Sequence, residues 1–389
     1  MLSTIPLRGR LAQFPTSQGQ RRDQAVITFA VMKVFALLLA TVLTAAIPTQ
    51  SVNGGLTCED AVVVESSESS STGSSTTTNA KLPIFSFHGT NGNANNSINF
   101  NTNLTAEGRT FVAFRLLHGQ LFKDGYIFIG HSQGGSVAKF VIEEMDDHNV
   151  KKFISLAGSS NGRFYGPQAE DVKPLSWYWS IFASQIPSYV INMTNYANDS
   201  STWRGKFQRD LMETTLAYPE LQDSIPQFNQ LRSPYEEPWI KVNTAFPRYN
   251  NLRNCSELGD EEEACFKNQT RYKNNFMRVE NVHLFVSPND SLQAPYQTGI
   301  YGSYSTVDSY DAIENDFESL KVLDMTETRE YLEDTYGLKT MNENEQIHRH
   351  VVPDVSHNCW IGDVAEYGDF GGFPCTWKPV YDKYLYPLL

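Results

Sequence analysis

One short segment limits what this chain can fold into more than any other feature of its sequence. Residues 130–134 (GHSQG) fit the pattern G-x-S-x-G and directly follow 125–130 (GYIFIG), which predicts a strand. Apolar residues then recur at helical spacing over 137–145. A serine on a sharp strand-to-helix turn exposes its hydroxyl, and small neighbours prevent clashes there. The segment therefore predicts a nucleophile at Ser132; the alternative is an ordinary surface serine in a glycine-rich turn.

The other apolar runs place this turn in an α/β fold. The predicted strands are 82–87, 110–117, 125–130, 152–157, 282–287 and 348–352. Strands alternating with helices indicate a mostly parallel central sheet with flanking helices. Residues 377–389 predict a closing helix. Between 162 and 275 the pattern breaks, and we interpret this aromatic stretch as a lid inserted above the sheet.

Serine is a weak nucleophile and needs a base with an orienting carboxylate. In folds with this turn, the chain order is serine, acid, histidine. Asp290 follows the strand at 282–287, and His357 follows the last strand. Ligand sites form at such carboxyl ends of strands. The sequence therefore predicts a triad of Ser132, Asp290 and His357; a turn-forming aspartate and an exposed loop histidine are the alternatives.

Two further histidines compete for the role of base. His348 and His350 alternate within the last predicted strand and should face one side, which favours a buried or structural role. Two histidines without a third ligand do not indicate a metal site, and no CxxC or Cys/His spacing indicates zinc. We expect neither a metal nor a cofactor.

An oxyanion hole should complete the site. One donor is expected to be the backbone N–H of Gln133, the residue after the nucleophile, and the other an N–H from the loop after the first strand. That loop is His88-Gly89-Thr90, which makes Thr90 the candidate. The alternative for His88-Gly89 is a simple tight turn.

Charge excludes one class of function. The 389 residues carry a formal net charge of −13, and no lysine- or arginine-rich run is present. A nucleic-acid binder would show a basic face or stripe, so we expect no nucleic-acid partner. The length suits one large α/β domain or two ordinary ones.

The N-terminal region predicts targeting. Residues 33–46 (KVFALLLATVLTAA) have one positive charge, a short apolar run and small residues at the end, as in a secretory signal peptide; the run is short for a membrane span. A signal-anchor and a buried segment of a cytosolic protein are the alternatives. The run begins directly after Met32, and a Ser/Thr-rich tract at 66–78 cannot form a core. The predicted division is a gene-model extension at 1–31, a signal peptide at 32–46, a flexible linker at 47–80 and a folded domain at 81–389 with its lid at about 162–275.

Sequons and cysteines also indicate the secretory pathway. The Asn-x-Ser/Thr sequons are at Asn95, Asn103, Asn192, Asn198, Asn254, Asn268 and Asn289. Of the five cysteines, Cys255 with Cys265 and Cys359 with Cys375 would close short local loops, which leaves Cys58 over. The sequence does not prove this pairing.

With these residues in place, the chain resembles the palmitoyl-protein thioesterase family of α/β-hydrolases from about residue 82 to its C-terminus. The matching segments are His88-Gly89, 130–135 (GHSQGG), 154–158 (ISLAG), 272–276 (YKNNF), 287–291 (SPNDS), 336–339 (YGLK) and the loop around His357. The resemblance implies hydrolysis of long-chain fatty acyl groups from cysteine thioesters, in the lysosome or outside the cell. S-acylated proteins or peptides and fatty acyl thioesters would be the partners of a monomer without a stable membrane span.

The resemblance also implies that the insertion carries the acyl groove. Here that insertion contains Trp177, Trp179, Ile181 and Phe182, which suit a channel for a hydrocarbon chain. Ordinary packing of the lid on the body is the alternative interpretation.

The chain departs from the family between Thr90 and Gly125. A helix, a strand and a second crossover helix are expected there, and parallel neighbours need a crossover of about a dozen residues. After Leu117 only 118–124 remain before the next strand. The sequence therefore predicts that one helix is missing, either through a gene-model error or in a degenerate copy.

The triad alone does not choose the substrate, since such a site can hydrolyse both thioesters and oxyesters. The first alternative function is a secreted lipase or carboxylesterase with the same residues. The second is an inactive hydrolase-like binding protein, which the missing crossover makes conceivable.

Overall fold

A computed structural model describes residues 81–89, 94–113, 122–185, 188, 190–196, 202–220, 222, 225–365 and 373–389. Within them, six strands form one parallel sheet in the order β2-β1-β3-β4-β5-β8. The strands are β1 (Ile84–Phe87), β2 (Phe111–Ala113), β3 (Tyr126–His131), β4 (Val150–Leu156), β5 (Asn281–Val286) and β8 (Ile347–Val351). The predicted parallel sheet is confirmed. The predicted extension, signal peptide and linker lie outside the described residues, as does Cys58.

Helices flank this sheet and fill the long segment between β4 and β5. The α-helices among the described residues are α1 (Ile98–Ala106), α2 (Gln133–Glu144), α3 (Val172–Gln185), α4 (Trp203–Ala217), α5 (Pro226–Asn229), α6 (Glu236–Val242), α7 (Phe246–Tyr249), α8 (Glu262–Met277), α9 (Tyr310–Asn315), α10 (Arg329–Leu332), α11 (Leu338–Glu343) and α12 (Trp377–Val380). Two short strands, β6 (Ser303–Tyr304) and β7 (Val322–Leu323), pair antiparallel beside the main sheet.

Alternation along the strands builds a core on each face of the sheet. On β3, Phe128 packs with Ile142 of α2 on one face. Ile127 and Ile129 belong to the opposite core, which includes Trp377 of α12. Both faces are apolar because helices cover both, as parallel sheets require. Full burial of such a side chain contributes about 1.5–3 kcal/mol.

The insertion between β4 and β5 shares a hydrophobic cluster with the chain that follows β5 and has a buried connection to the body. Its cluster includes Phe207 of α4, which is fully buried. Arg232, between α5 and α6, forms an ion pair with Glu330 of α10 at 2.5 Å and donates to the side chain of Asn161 at 2.8 Å. The ion pair fixes this part of the insertion against α10, and the hydrogen bond to Asn161 fixes it against the loop that follows β4.

The connection from β2 to β3 is short, as the sequence predicts. It covers 114–125, of which 122–125 are described and contain no α-helix. Phe85 of β1 and Phe122 are only half-buried, with ring centroids 5.1 Å apart.

The predicted closing helix consists of three consecutive helical segments. Helix α12 continues as a π-helical segment (Tyr381–Leu385) and a 3-10 helix (Tyr386–Leu388). Pro387 has no N–H and cannot extend the α-helical hydrogen-bond pattern. The sequence pattern therefore predicted the helical character but not its interruption.

Candidate active site

Ser132 occupies a strained turn between β3 and α2. Its φ is 58° and its ψ −127°, a region that costs a residue with a side chain about 1–3 kcal/mol. The turn needs glycine beside it, because a Cβ on Gly134 would lie 2.3 Å from the carbonyl oxygen of Phe87. The end of β1 therefore lies directly against the start of α2, and the Ser132 side chain sits at the carboxyl edge of the sheet.

Asp290 and His357 meet at the same edge. Asp290 lies four residues beyond β5, is buried, and accepts hydrogen bonds at Oδ1 from the backbone N–H groups of Leu292 and Gln293, at 2.7 and 2.8 Å. Nδ1 of His357 lies 2.9 Å from each carboxylate oxygen of Asp290. The aspartate therefore fixes the imidazole in the tautomer that carries hydrogen on Nδ1.

The other ring nitrogen of His357 faces away from the carboxylate. His357 begins a 3-10 helix (His357–Trp360), and the disulfide between Cys359 and Cys375 ties this helix to the chain that precedes α12. Nε2 is buried and hydrogen-bonds to none of the described residues, Ser132 included. Hydrogen bonds between a nucleophile and its base are often loose before substrate binds. This nitrogen is the one that would accept the serine proton.

His131, the last residue of β3, also contacts His357. Its Nε2 lies 2.9 Å from the backbone carbonyl oxygen of His357, and the two ring centroids are 4.9 Å apart. Burial, together with the nearby His357, lowers the pKa of His131 to about 3, so the ring stays neutral. Sequence reasoning assigned it no role, although its position next to Ser132 could have drawn attention to it. We call His131 and His357 the elbow pair.

The predicted oxyanion donors are partly described. Gln133 is the first residue of α2, so its N–H lies at the positive end of a helix. Thr90 lies outside the described residues. Gly89 does reach the site, since a Cβ placed on it would be 2.8 Å from Cβ of Ser132. The loop after β1 therefore borders the elbow, as the prediction requires.

The structure gathers the competing histidines elsewhere and adds a third. His283 of β5 stacks on His348 of β8, its register partner, at 4.5 Å between centroids. Nδ1 of His283 lies 3.2 Å from Nε2 of His350. We call His283, His348 and His350 the histidine stack. Across the described part of the chain, no three histidine, cysteine or acidic side chains are arranged to hold a metal ion.

The predicted groove residues lie on α3. Trp177 is buried and Trp179 is half-buried against the insertion's hydrophobic cluster. The Trp179 ring contacts Trp203 and Phe207, with centroids 5.2 and 5.0 Å away. Ile181 and Phe182 belong to the same helix, but their side chains lie outside the described part. Packing within the insertion therefore accounts for the contacts of Trp179.

Both predicted disulfides are present, Cys255–Cys265 and Cys359–Cys375. The sequon asparagines that the structure describes are exposed at Asn192, Asn254 and Asn289 and half-buried at Asn103 and Asn268. Asn198 and the side chain of Asn95 lie outside the described residues. The described part contains no helix that is both long and apolar enough to cross a membrane.

The sheet order and the serine turn after β3 define the class. A parallel sheet with a strained serine between strand and helix, followed along the chain by an acid and then a histidine, is the α/β-hydrolase fold. A family model described as palmitoyl protein thioesterase matches residues 64–357. The chain belongs to this family.

Curated relatives are similar over part of their length. "Lysosomal thioesterase PPT2" from Homo sapiens is 29% identical over 244 residues, 62% of this chain and 63% of that protein. "Palmitoyl-protein thioesterase 1" from Caenorhabditis elegans is 23% identical over 226 residues, 58% of this chain and 59% of that protein. The chain thus spans less than two thirds of these relatives. An esterase structure from Exiguobacterium antarcticum covers 72% of this chain and 87% of its own, at 11% identity and a TM-score of 0.32.

Proposed function

We propose that this protein hydrolyses long-chain fatty acyl thioesters, with Ser132 as nucleophile, His357 as base and Asp290 as orienting acid. One observation carries the proposal. Ser132 lies in a strained turn directly after His131, whose ring contacts His357, and Nδ1 of His357 hydrogen-bonds to a buried carboxylate at 2.9 Å. A surface serine or a turn-forming aspartate would need neither the strain nor the shared edge. Family membership supports the thioester as the bond that is cleaved.

The reaction takes two steps. Nε2 of His357 accepts the Ser132 proton as Oγ attacks the acyl carbonyl, and the N–H groups of Gln133 and Thr90 stabilise the oxyanion. The C–S bond breaks, the thiol leaves with its sulfur protonated from His357, and an acyl-serine remains. Water, deprotonated by His357, then attacks this ester; the bond between the acyl carbon and Oγ breaks, His357 returns the proton to Oγ, and the fatty acid is released. A thiol has a reference pKa near 8.5, so its sulfur needs less help to leave than an alkoxide does.

Asp290 acts on both steps through His357. Its carboxylate holds the Nδ1–H tautomer and stabilises the imidazolium that forms when Nε2 takes a proton. Its Oδ1 is itself fixed by two backbone N–H groups, so the carboxylate has little freedom to turn away.

The fatty chain is proposed to lie against the insertion. Leu292 and Ala294, which follow the acid directly, belong to the same hydrophobic cluster as Trp177 of α3. Apolar side chains thus extend from the reaction centre into the insertion. A hydrocarbon chain placed along them would keep its thioester carbonyl at the serine.

The cellular setting follows from the relatives and the cysteines. The human relative carries "lysosomal" in its name, and two disulfides fit an oxidising compartment. We propose that the protein passes through the secretory pathway to the lysosome or the cell exterior and acts as a monomer on S-acylated proteins or peptides.

Covalent labelling tests whether Ser132 is a nucleophile. A fluorophosphonate should modify Ser132 in the folded protein, and Ser132→Ala should remove both the adduct and the turnover of palmitoyl thioester while its circular dichroism spectrum is unchanged. An unlabelled wild-type protein with native spectra would contradict the proposal and favour an inactive binding protein.

Substrate choice needs a matched pair. Turnover of a palmitoyl thioester is compared with that of the oxyester of the same acyl chain, with kcat/KM as the measure. We expect the thioester to be preferred. A strong oxyester preference would identify a lipase or carboxylesterase instead.

A further inference from the structure

The side chain of His131, the residue before Ser132, contacts the proposed base: its Nε2 lies next to the backbone carbonyl oxygen of His357. His131 ends β3, and 226 positions separate it from the carbonyl group that it contacts. A carbonyl oxygen only accepts hydrogen bonds, so Nε2 of His131 must donate. The neutral ring therefore has its hydrogen on Nε2, and its bare Nδ1 faces the backbone at Gly89 (3.4 Å from the position of a Cβ there).

This bond completes a clamp on His357. Asp290 holds its ring through Nδ1 at 2.9 Å, and His131 holds its backbone through the carbonyl oxygen at 2.9 Å. Nε2 of His357 is left without a hydrogen bond to any of the described residues. Because His131 and Ser132 are adjacent on the chain, the same bond links the nucleophile's strand to the loop of the base.

We propose that His131 is a positioning residue: its Nε2–H, bonded to the carbonyl oxygen of His357, sets the distance between the base and Ser132 for the hydrolysis proposed above. The inference rests on that proposed function. The neutral state of His131 also matters, because a charged ring at 4.9 Å would oppose the imidazolium that His357 becomes in each step.

A matched pair of substitutions isolates the hydrogen bond. His131→Gln keeps an N–H donor at about the reach of Nε2, and His131→Met has a similar length without a donor. Active sites are counted by fluorophosphonate titration, and kcat and KM are measured per titrated site. We expect kcat of His131→Met to fall between about 10-fold and 100-fold with little change in KM, since a small misplacement of a catalytic group has this effect. His131→Gln should recover most of the loss.

Several outcomes would overturn the inference. Wild-type kcat in His131→Met would do so, and so would equal losses in both variants. A pH-rate profile separates positioning from proton transfer by His131: the loss should be the same factor at every pH, and a shifted acid limb would show that His131 titrates. If wild-type protein itself turns over no thioester, the proposed function fails instead, which separates the two.

A measurement on the wild type covers the case in which His131→Met does not fold. Nitrogen-15 NMR of labelled histidines should show one ring, absent in His131→Gln, that remains in the Nε2–H tautomer from pH 8 to pH 4.5. Titration of that ring in the ordinary histidine range would overturn the inference.

Discussion

The elbow pair lies at the carboxyl ends of the sheet's strands and the histidine stack lies within β5 and β8, and the two groups have different neighbours. The elbow pair is at the carboxyl ends of the strands, where Asp290 accepts from His357 and Ser132 follows His131. The backbone there is strained, with φ of 58° at Ser132. Strain of this kind persists where the surrounding structure enforces it, often at functional sites.

The histidine stack occupies regular strand backbone at the edge of the sheet. Each ring in it faces another base or an amide: His283 faces His348 and His350, and Nε2 of His348 lies 2.9 Å from Oδ1 of Asn281. Burial, then the two neighbouring histidines and Lys152, lower the pKa of His283 to about 3.

The difference shows that neighbours, and not the side chain, decide what a histidine does. The carboxylate of Asp290 beside His357 would compensate the positive charge that the proposed proton transfer creates. In the stack, burial disfavours a positive charge on His283, and the nearby Lys152 opposes that charge further. The first arrangement suits catalysis, and the second suits a neutral structural cluster.

The largest expected effect distinguishes the elbow pair from the histidine stack. His357→Gln should lower kcat for palmitoyl thioester by about 10⁶-fold, as loss of the base does in a serine protease. His350→Gln should leave kcat within about twofold, because it contacts Phe285 and His283 and not the elbow. Both are measured as initial rates on protein of native spectrum. A comparable loss in His350→Gln would place the stack in the mechanism.

Substitution of Asp290 should have the next largest effect on kcat. Asp290→Asn should lower kcat by about 10⁴-fold with little change in fold, because an amide no longer stabilises the imidazolium or its Nδ1–H tautomer. Steady-state kinetics above and below neutral pH measure this. Asn289→Gln, at the exposed neighbour, keeps an amide near Asp354, is the control and should retain turnover.

Substitution in the histidine stack should change the pH dependence of folding stability and not the rate of thioester hydrolysis. Because the pKa of His283 is lowered, the folded protein binds fewer protons than the unfolded chain between about pH 6.5 and pH 3. The associated stability is present above that range and lost as the pH falls through it. His283→Phe should therefore lose less Tm between pH 7 and pH 4.5, by about 2 °C relative to wild type.

Two buried carboxyl groups change the pH dependence of folding stability in the opposite direction. Burial raises the pKa of Asp171 and of Glu143 to about 7, so the folded state keeps protons that the unfolded chain releases above about pH 4. Their contribution falls as the pH rises. Both groups are present in wild type and in His283→Phe, so the difference between the two proteins isolates the stack. If both proteins lost the same Tm between pH 7 and pH 4.5, His283 would not remain neutral in the folded protein.

The smallest effect concerns the strain at the elbow. The free energy of unfolding of Ser132→Gly should exceed that of Ser132→Ala by about 1 kcal/mol. Glycine adopts φ near 58° and ψ near −127° without a Cβ clash. Urea unfolding of the two inactive variants measures it. An alanine variant as stable as the glycine variant would mean that the turn is relaxed.

Much of the site follows from local pattern and chain order. The G-x-S-x-G turn and the positions after β5 and β8 indicate Ser132, Asp290 and His357, because the carboxyl ends of parallel strands share one edge. Neither His131 nor His283 could be assigned this way. Their partners come from distant segments, and which strands become neighbours is not written in the spacing within any one of them.

The sequence alone determined the alternation of strand and helix, the turn at Ser132 and the short connection before β3, since periodicity and glycine placement act locally. Only the tertiary structure decided that His131 meets the carbonyl oxygen of His357 and that His283 meets His348 and His350. Those contacts depend on the strand order β4-β5-β8 and on loop packing at the sheet edge, and these are set by the burial of side chains that lie far apart in the chain.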